Sequence, residues 1–547
     1  MEVNHNYYKN DSEYMMINWW KKAVIYQIYP RSFKDSNGDG IGDIRGILEK
    51  LDYLKTLGID AVWLSPVYQS PMIDNGYDVS NYYKIDPIFG TMSDFDLLVN
   101  QAKKLGIRLI MDLVVNHTSD QHSWFQESRQ SKDSLKRDFY IWRDQPIGDP
   151  NHWTYDAKTN QYYFHLFSPQ QPDLNWENQE VRQQIYQMMN FWLDKGISGF
   201  RLDVIDLIGK QADKGVTVNG PHLHDYLQEM HEETFGGRDC LTVGEAWSSS
   251  PELAKLYAAP DRNELSMIFG FWHILTSAGN GDKWNKLPLN VPKLKEALLA
   301  WQSLEPHEAW NALFTNNHDL PRILSFWGDE GVYRERSAKA FAILFHLLRG
   351  TPFIYQGEEL GMTNYPFTDL SEFKDIESWD FYESQRQLGK STEEILGVLC
   401  DMSRDNARTP MQWTSDSQAG FTTGIPWMSV NPNYVNINAT DALADSDSVF
   451  TTYQKLIRLR HDEDWVTLGE TLFLESSDSV IAYLRKTSDQ TILVVINLSS
   501  HPQIFESDFI IKRPIIANVS FPDTLNMVSL QPWQAFAMEI DSVIWKD

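Results

Sequence analysis

Three carboxylates, two histidines and an arginine, each placed at the end of a short apolar run, are the residues of this chain whose types could do chemistry. In Gly199-Phe200-Arg201-Leu202-Asp203-Val204-Ile205, Arg201 precedes Asp203 by two residues, and the period of a strand points both the same way. A neighbouring guanidinium favours the ionised form of a carboxyl, so Asp203 is expected to be an anion at neutral pH, as a carboxylate nucleophile must be. Glu245 lies in VGEAW, among mostly apolar neighbours. Desolvation and a nearby anion would raise its pKa and suit it to giving and taking a proton. Asp319 follows His318 in NNHD, and His117 closes DLVVNH. One carboxylate that attacks and a second, protonated one that donates is the pairing that breaks a glycosidic bond. The third could bind sugar hydroxyls and favour a positively charged transition state. His117 and His318 are candidate donors to ring hydroxyls. Taken singly, Asp319 could cap a helix, Arg201–Asp203 could be a structural ion pair, and His117 could be a core histidine. Gathered at one place they have no such explanation, since charged groups are rarely enclosed together without purpose.

A fold that would gather them is legible in the alternation of elements. Strand-like runs occur at 24–33, 59–66, 107–117, 199–205, 241–247, 265–271, 311–319 and 351–359. Helical patterns at 44–57, 92–105, 179–194, 223–234, 291–302 and 335–348 lie between them. Continuous apolar runs alternating with helices predict parallel strands covered on both faces. Eight of them predict an α/β fold, a closed (β/α)8 TIM barrel with its site at the C-terminal ends of the strands. The expected barrel comprises residues 1–117 and 178–464, with a loop-rich lid at about 360–435 over its mouth. The polar, aromatic stretch 118–177 is expected to be a small domain inserted after the third strand. After helix 453–462, the short alternating runs of 465–547 predict a C-terminal antiparallel β-sandwich.

Composition narrows the function. A net charge of -27 argues against nucleic acid or an anionic membrane surface, because a phosphate backbone needs a basic footprint. The 20 tryptophans give aromatic faces of the kind that suit the flat C–H surfaces of sugars. Two cysteines 160 residues apart, Cys240 and Cys400, do not make a disulfide scaffold. Residues 1–24 are polar and contain no apolar run like a secretory signal, and no run is long enough to span a membrane. The expectation is a soluble, cytoplasmic protein, a monomer with an oligomer left open. Asp35-Ser36-Asn37-Gly38-Asp39-Gly40-Ile41-Gly42-Asp43 resembles a calcium loop, with side-chain oxygens at Asp35, Asn37, Asp39 and Asp43 and a carbonyl at Ile41. It is not a full EF-hand, because Gly46 stands where the twelfth-position glutamate belongs. A solvated Asp/Gly turn is the alternative.

DLVVNH (112–117), GFRLDVI (199–205), GEAW (244–247) and NNHD (316–319) resemble, in order and separation, the four signature segments of glycoside hydrolase family 13, the α-amylase family. The resemblance covers most of the chain. It implies Asp203 as nucleophile, Glu245 as general acid/base and Asp319 as transition-state stabiliser, with Arg201, His117 and His318 in the substrate site and no catalytic cofactor. It also implies retention of configuration through a covalent glucosyl-enzyme. Further details resemble the oligo-1,6-glucosidase and dextran glucosidase group. In DNGYD, Asp74 matches the carboxylate that holds the terminal glucose and Tyr77 its stacking platform. Arg404 in SRDNARTPMQW matches the arginine paired with that aspartate, which would close the pocket beyond one glucose and make the enzyme act on α-glucan chain ends. Val204 matches the residue this group uses with α-1,6 linkages, Glu377 a glutamate at the second sugar, and the 35–43 loop the group's calcium site. Trehalose-6-phosphate hydrolase is a close sibling, but it usually carries glutamine where Leu320 stands here. An α-1,4-glucosidase is a further alternative, although such relatives often carry alanine or threonine at the Val204 position. A non-catalytic, sugar-hydrolase-like binding protein would be expected to lack a catalytic carboxylate, and Asp203, Glu245 and Asp319 are all present.

Overall fold

The apolar runs do become parallel strands, and the strands close on one another. The computed structural model describes residues 7–10, 13–16 and 18–541. Residues 1–6, 11, 12 and 17 of the polar segment 1–24 therefore lie outside the described residues, as does the end of 465–547 beyond Asp541. The barrel strands are β1 (Ile25–Ile28), β2 (Ala61–Leu64), β3 (Arg108–Leu113), β4 (Gly199–Leu202), β5 (Leu241–Glu245), β6 (Met267–Phe269), β7 (Ala312–Leu313) and β8 (Thr351–Tyr355). They pair in parallel in the order β6-β5-β4-β3-β2-β1-β8-β7, and a parallel bridge from Ile268 to Asn311 joins β6 to β7. This is the expected TIM barrel.

Helices follow where their caps predict them. Thr91 and Asp94 form a capping box for Met92–Lys104, and Asn178 and Asn290 cap Gln179–Asp194 and Val291–Gln302. Two predicted helices are broken. The 44–57 helix is two pieces, Ile44–Glu49 and Leu51–Leu57, kinked at Lys50. The 223–234 helix changes at His231 from α to a π turn that ends at Phe235. Several strands are shorter than their apolar runs. β3 stops at Leu113 and β7 at Leu313, because Val114–His117 and Phe314–His318 are buried loop rather than ladder. β4 stops at Leu202, since Val204 sits at φ 36° and ψ 46°, a left-handed conformation strained for a β-branched residue. That turn places Asp203 just past the strand, at the barrel mouth. At the other end of β4, Gly199 has φ 142°, and a Cβ there would lie 1.8 Å from the Leu241 carbonyl oxygen. Only glycine lets β5 approach so closely.

Within 118–177 a three-stranded antiparallel sheet forms from Trp142–Arg143, Gln161–Phe164 and Trp153–Asp156. It is tied back to the end of β3 by a His117–Asp173 bridge and by the Trp176 indole, which donates to the Val115 carbonyl at 2.8 Å. Helices Ile376–Gln387 and Thr392–Met402 lie in the 360–435 segment. Beyond helix Val449–Asp462, a five-stranded antiparallel sheet begins at Glu470 and a two-stranded one faces it. Val480, Leu493, Val495, Phe505, Leu530 and Phe536 fill the space between them as a core separate from the barrel's.

Candidate active site

A cavity of about 1000 Å³ opens at the barrel mouth, and Asp203, Glu245 and Asp319 all line it. Asp74, Tyr77, His117, Val204, Glu377 and Arg404 line it too. Arg201 and His318 do not. They stand behind the wall, buried and hydrogen-bonded to the residues that do.

Arg201 proves to have three carboxylate partners rather than one. Its Nη1 lies 2.7 Å from Asp203 Oδ1 and 2.9 Å from Asp112 Oδ1, and its Nη2 lies 2.7 Å from Glu245 Oε2. Glu245 also accepts from the Val204 amide at 3.1 Å and from the Trp247 indole at 3.0 Å. Its surroundings are thus more polar than the sequence suggested. Burial nevertheless pushes Glu245 up to about 7, opposed by Arg201 and reinforced by Asp203 and Asp319. The expectation that Arg201 alone would keep Asp203 low needs correction. Burial pushes Asp203 up to about 7 as well, and Asp112 and Asp319 outweigh part of what Arg201 offers. Both acids are buried on one guanidinium, so they titrate as a pair, and the proton the pair retains belongs to both until substrate distinguishes them.

Asp319 is different. Burial raises it, but His318, Arg404 and Arg408 more than offset that and hold its carboxyl well below the ordinary range. Arg404 reaches it at 3.2 Å and Arg408 at 2.9 Å. Arg404 also lies 2.9 Å from Asp74, whose second oxygen accepts from Gln171 at 3.0 Å. Asp74 is raised to about 6, chiefly by burial and against Arg404. Glu377 stands 3.5 Å from Arg404 and bonds Lys283.

The aromatic and histidine groups form the floor. The Tyr77 ring stacks on His318 at 5.3 Å between centroids with planes 8° apart, and its hydroxyl contacts His318 Nε2 at 2.5 Å. His318 Nδ1 meets Gln27 at 2.8 Å and its Nε2 also lies 3.1 Å from Asp319 Oδ2, so both ring nitrogens are taken up by protein groups. His117 Nε2 lies 3.1 Å from the Tyr77 carbonyl oxygen. Burial depresses His117 to about 4 and His318 to about 3, so both are neutral at physiological pH.

Several site residues carry no role in the sequence reading. Asp112 was visible in DLVVNH, and Arg408 and Trp247 sat inside quoted motifs, yet spacing alone gave them no partner. Asp375 and Lys283 lie in segments with no local pattern, and only the fold brings them, with Gln171, to the mouth.

The 35–43 loop is folded around its own main-chain amides. Asp35 accepts from the amides of Asn37, Gly38 and Gly40, and Asp39 from Ile41. Asp43 caps helix Ile44–Glu49 through the Gly46 amide. These are hard oxygen donors, the chemistry calcium takes. Among the described residues, however, no group of three or more His, Cys, Asp or Glu is gathered as a metal site.

With this geometry in place, the comparisons with known proteins agree on the family. The model of the α-amylase catalytic domain matches residues 27–469. The chain is 54% identical over 534 residues to the glucan 1,6-alpha-glucosidase of Streptococcus pneumoniae, covering 96% of this chain and 100% of that one. It is 50% identical over 514 residues to the oligo-1,6-glucosidase of Bacillus cereus, covering 89% and 92%. Among solved structures, the trehalose-6-phosphate hydrolase of Bacillus licheniformis superposes with a TM-score of 0.90 at 44% identity, covering 96% of this chain and 100% of that one. The chain belongs to the α-amylase family, glycoside hydrolase family 13, and is closely related to its oligo-1,6-glucosidase and glucan 1,6-alpha-glucosidase group.

Proposed function

We propose that the protein is a retaining, exo-acting α-1,6-glucosidase that releases α-glucose from the non-reducing ends of isomalto-oligosaccharides, panose or dextran. The observation that carries the exo reading is the Asp74–Arg404 ion pair, which lines the same cavity as Asp203 and Glu245. An ion pair across the blind end leaves room for one terminal glucose and no chain beyond it. Asp203 attacks the anomeric carbon while Glu245 protonates the glycosidic oxygen and the leaving sugar departs. Glu245 then takes a proton from water, which displaces Asp203 and restores the α configuration. A shared guanidinium keeps the two carboxyl groups close, as double displacement requires. Asp319 stays ionised to favour the oxocarbenium charge, and neutral His117 offers its ring to sugar hydroxyls. Val204 faces the scissile linkage from the cavity wall, and Glu377 the second sugar.

Trehalose 6-phosphate is the substrate of the sibling reading. A phosphate would need unpaired cations, yet Lys283 and Arg404, the Lys and Arg side chains that line the cavity, are already held by carboxylates. Rates on isomaltotriose, maltotriose and trehalose 6-phosphate, measured side by side, test the assignment. Glucose is expected fastest from isomaltotriose. Preference for maltotriose would remove Val204 as a linkage marker, and preference for trehalose 6-phosphate would replace the proposed substrate.

We also propose a structural Ca2+ in the 35–43 loop, held by Asp35, Asn37, Asp39, Asp43 and the Ile41 carbonyl. Added calcium is then expected to raise the melting temperature and a chelator to lower it, with the response lost in Asp39→Ala. An unchanged melting curve would reduce the loop to an Asp/Gly turn. The two cysteines are unpaired, which suits the reducing cytoplasm as the protein's setting.

A further inference from the structure

Asp375 is a carboxylate that the chemistry above does not use, and its surroundings are unusual. It is buried, and it does not line the cavity, so it cannot touch substrate. Its Oδ1 lies 2.6 Å from Arg404 Nε, and its Oδ2 bonds Arg408 Nη1. Asn75 donates to Oδ2 at 3.3 Å, and the Asp375 amide donates to Asp405 at 3.1 Å. Each of the two guanidinia puts a different nitrogen on Asp319 Oδ1, Arg404 through Nη1 and Arg408 through Nη2. The remaining Nη2 of Arg404 holds Asp74.

A guanidinium is a rigid planar fork, so fixing one nitrogen fixes the directions of the others. Anchoring Nε of Arg404 therefore aims its two Nη groups at Asp319 and Asp74 together. Two guanidinia converging on one carboxylate oxygen also repel each other, and a buried anion bonded to both offsets that repulsion. Asp375 accepts from the Glu377 amide at 2.9 Å as the cap of helix Ile376–Gln387. Capping alone would not require a buried carboxylate gripping two arginines.

We propose that Asp375 is a positioning residue that aligns Arg404 and Arg408, so that recognition of the chain end by Asp74 and orientation of Asp319 are one device. Asp375, Arg404 and Arg408 all lie in the 360–435 segment, so this segment carries more than a cover over the mouth. The inference rests on the role proposed for Asp319.

The test is Asp375→Asn, which keeps size and the capping oxygen but removes the charge and turns a donor towards Arg408. Competent sites are counted with a covalent active-site label, and kcat is expressed per labelled site beside KM and the melting temperature. Misalignment of about an ångström costs on the order of 100-fold in rate, so a fall of that size in per-site kcat is expected. Asp375→Glu, which restores the charge, is expected to recover part of it. A per-site kcat within twofold of wild type would overturn the proposal, whatever the melting temperature. If Asp375→Asn does not fold, Arg408→Lys is read in the same way, because an ammonium cannot hold Asp375 and Asp319 through two fixed nitrogens. Asp319→Asn runs as the control. Unchanged turnover there would show that the role of Asp319 has failed, which is a separate result from failure of Asp375.

Discussion

Glu245→Gln is expected to leave oligosaccharide binding nearly intact while kcat on isomaltotriose falls by about 10³-fold, within the range that general acid–base catalysis supplies. The amide has the same shape, and its single oxygen can keep the bond from the Val204 amide, made to Oε2 at 3.1 Å, while its NH2 takes the place of the Oε1 that accepts from the Trp247 indole at 3.0 Å. It cannot supply the proton that the leaving sugar needs. The pH profile follows with a definite sign. Glu245 is raised to about 7 by burial, and Asp203, also raised to about 7, must be ionised while Glu245 is protonated. Activity should therefore fall as pH rises through the upper titration of the pair, and fall again at lower pH as Asp203 takes up its proton. In Glu245→Gln the alkaline limb should vanish. Wild-type turnover in this variant would overturn the acid/base assignment, and a surviving alkaline limb would assign that titration to another group.

Asp203→Asn is the second large effect. Removing a nucleophile costs on the order of 10⁴ to 10⁶ in kcat where residues act as one unit, and a loss in that range is expected here. Its effect on stability should run the other way. A carboxyl whose folded pKa is raised takes up a proton on folding, so it costs stability as pH rises from its unfolded value near 4 through about 7. Asp203→Asn removes that cost, and Arg201 keeps Asp112 and Glu245 as partners at 2.9 and 2.7 Å. The variant's melting temperature should match wild type near pH 4 and exceed it increasingly towards pH 8. A melting temperature below wild type at pH 8 would mean that Arg201–Asp203 serves stability before chemistry.

The barrel was legible because a strand buried on both faces leaves an unbroken apolar run, and all eight runs became barrel strands. Their ends were less legible. Val114, Val115 and Phe314 are as buried as strand residues but lie in loops, and hydrophobicity alone does not separate the two. The local motifs led to nine cavity-lining residues, among them Asp74 and Arg404, 330 positions apart and in contact. What the motifs could not give was orientation. His318 sits in NNHD beside Asp319, yet its ring turns under Tyr77 instead of towards the cavity. Nor could a single sequence show that Arg201 serves three carboxylates, or that Asp375 reaches the arginines behind Asp319. Those relations depend on how loops from different strands meet, and no periodicity encodes that.

The central claim is that Asp203 becomes covalently glucosylated, and trapping the adduct tests it most directly. With α-glucosyl fluoride the leaving group needs no proton, so Glu245→Gln should complete the first step and stall at the second, which needs a base. Rapid quenching followed by mass spectrometry of the digested protein should then find one glucosyl group on the peptide that contains Asp203. An adduct on the Asp319 peptide, or fluoride released steadily with no adduct on any peptide, would contradict the account.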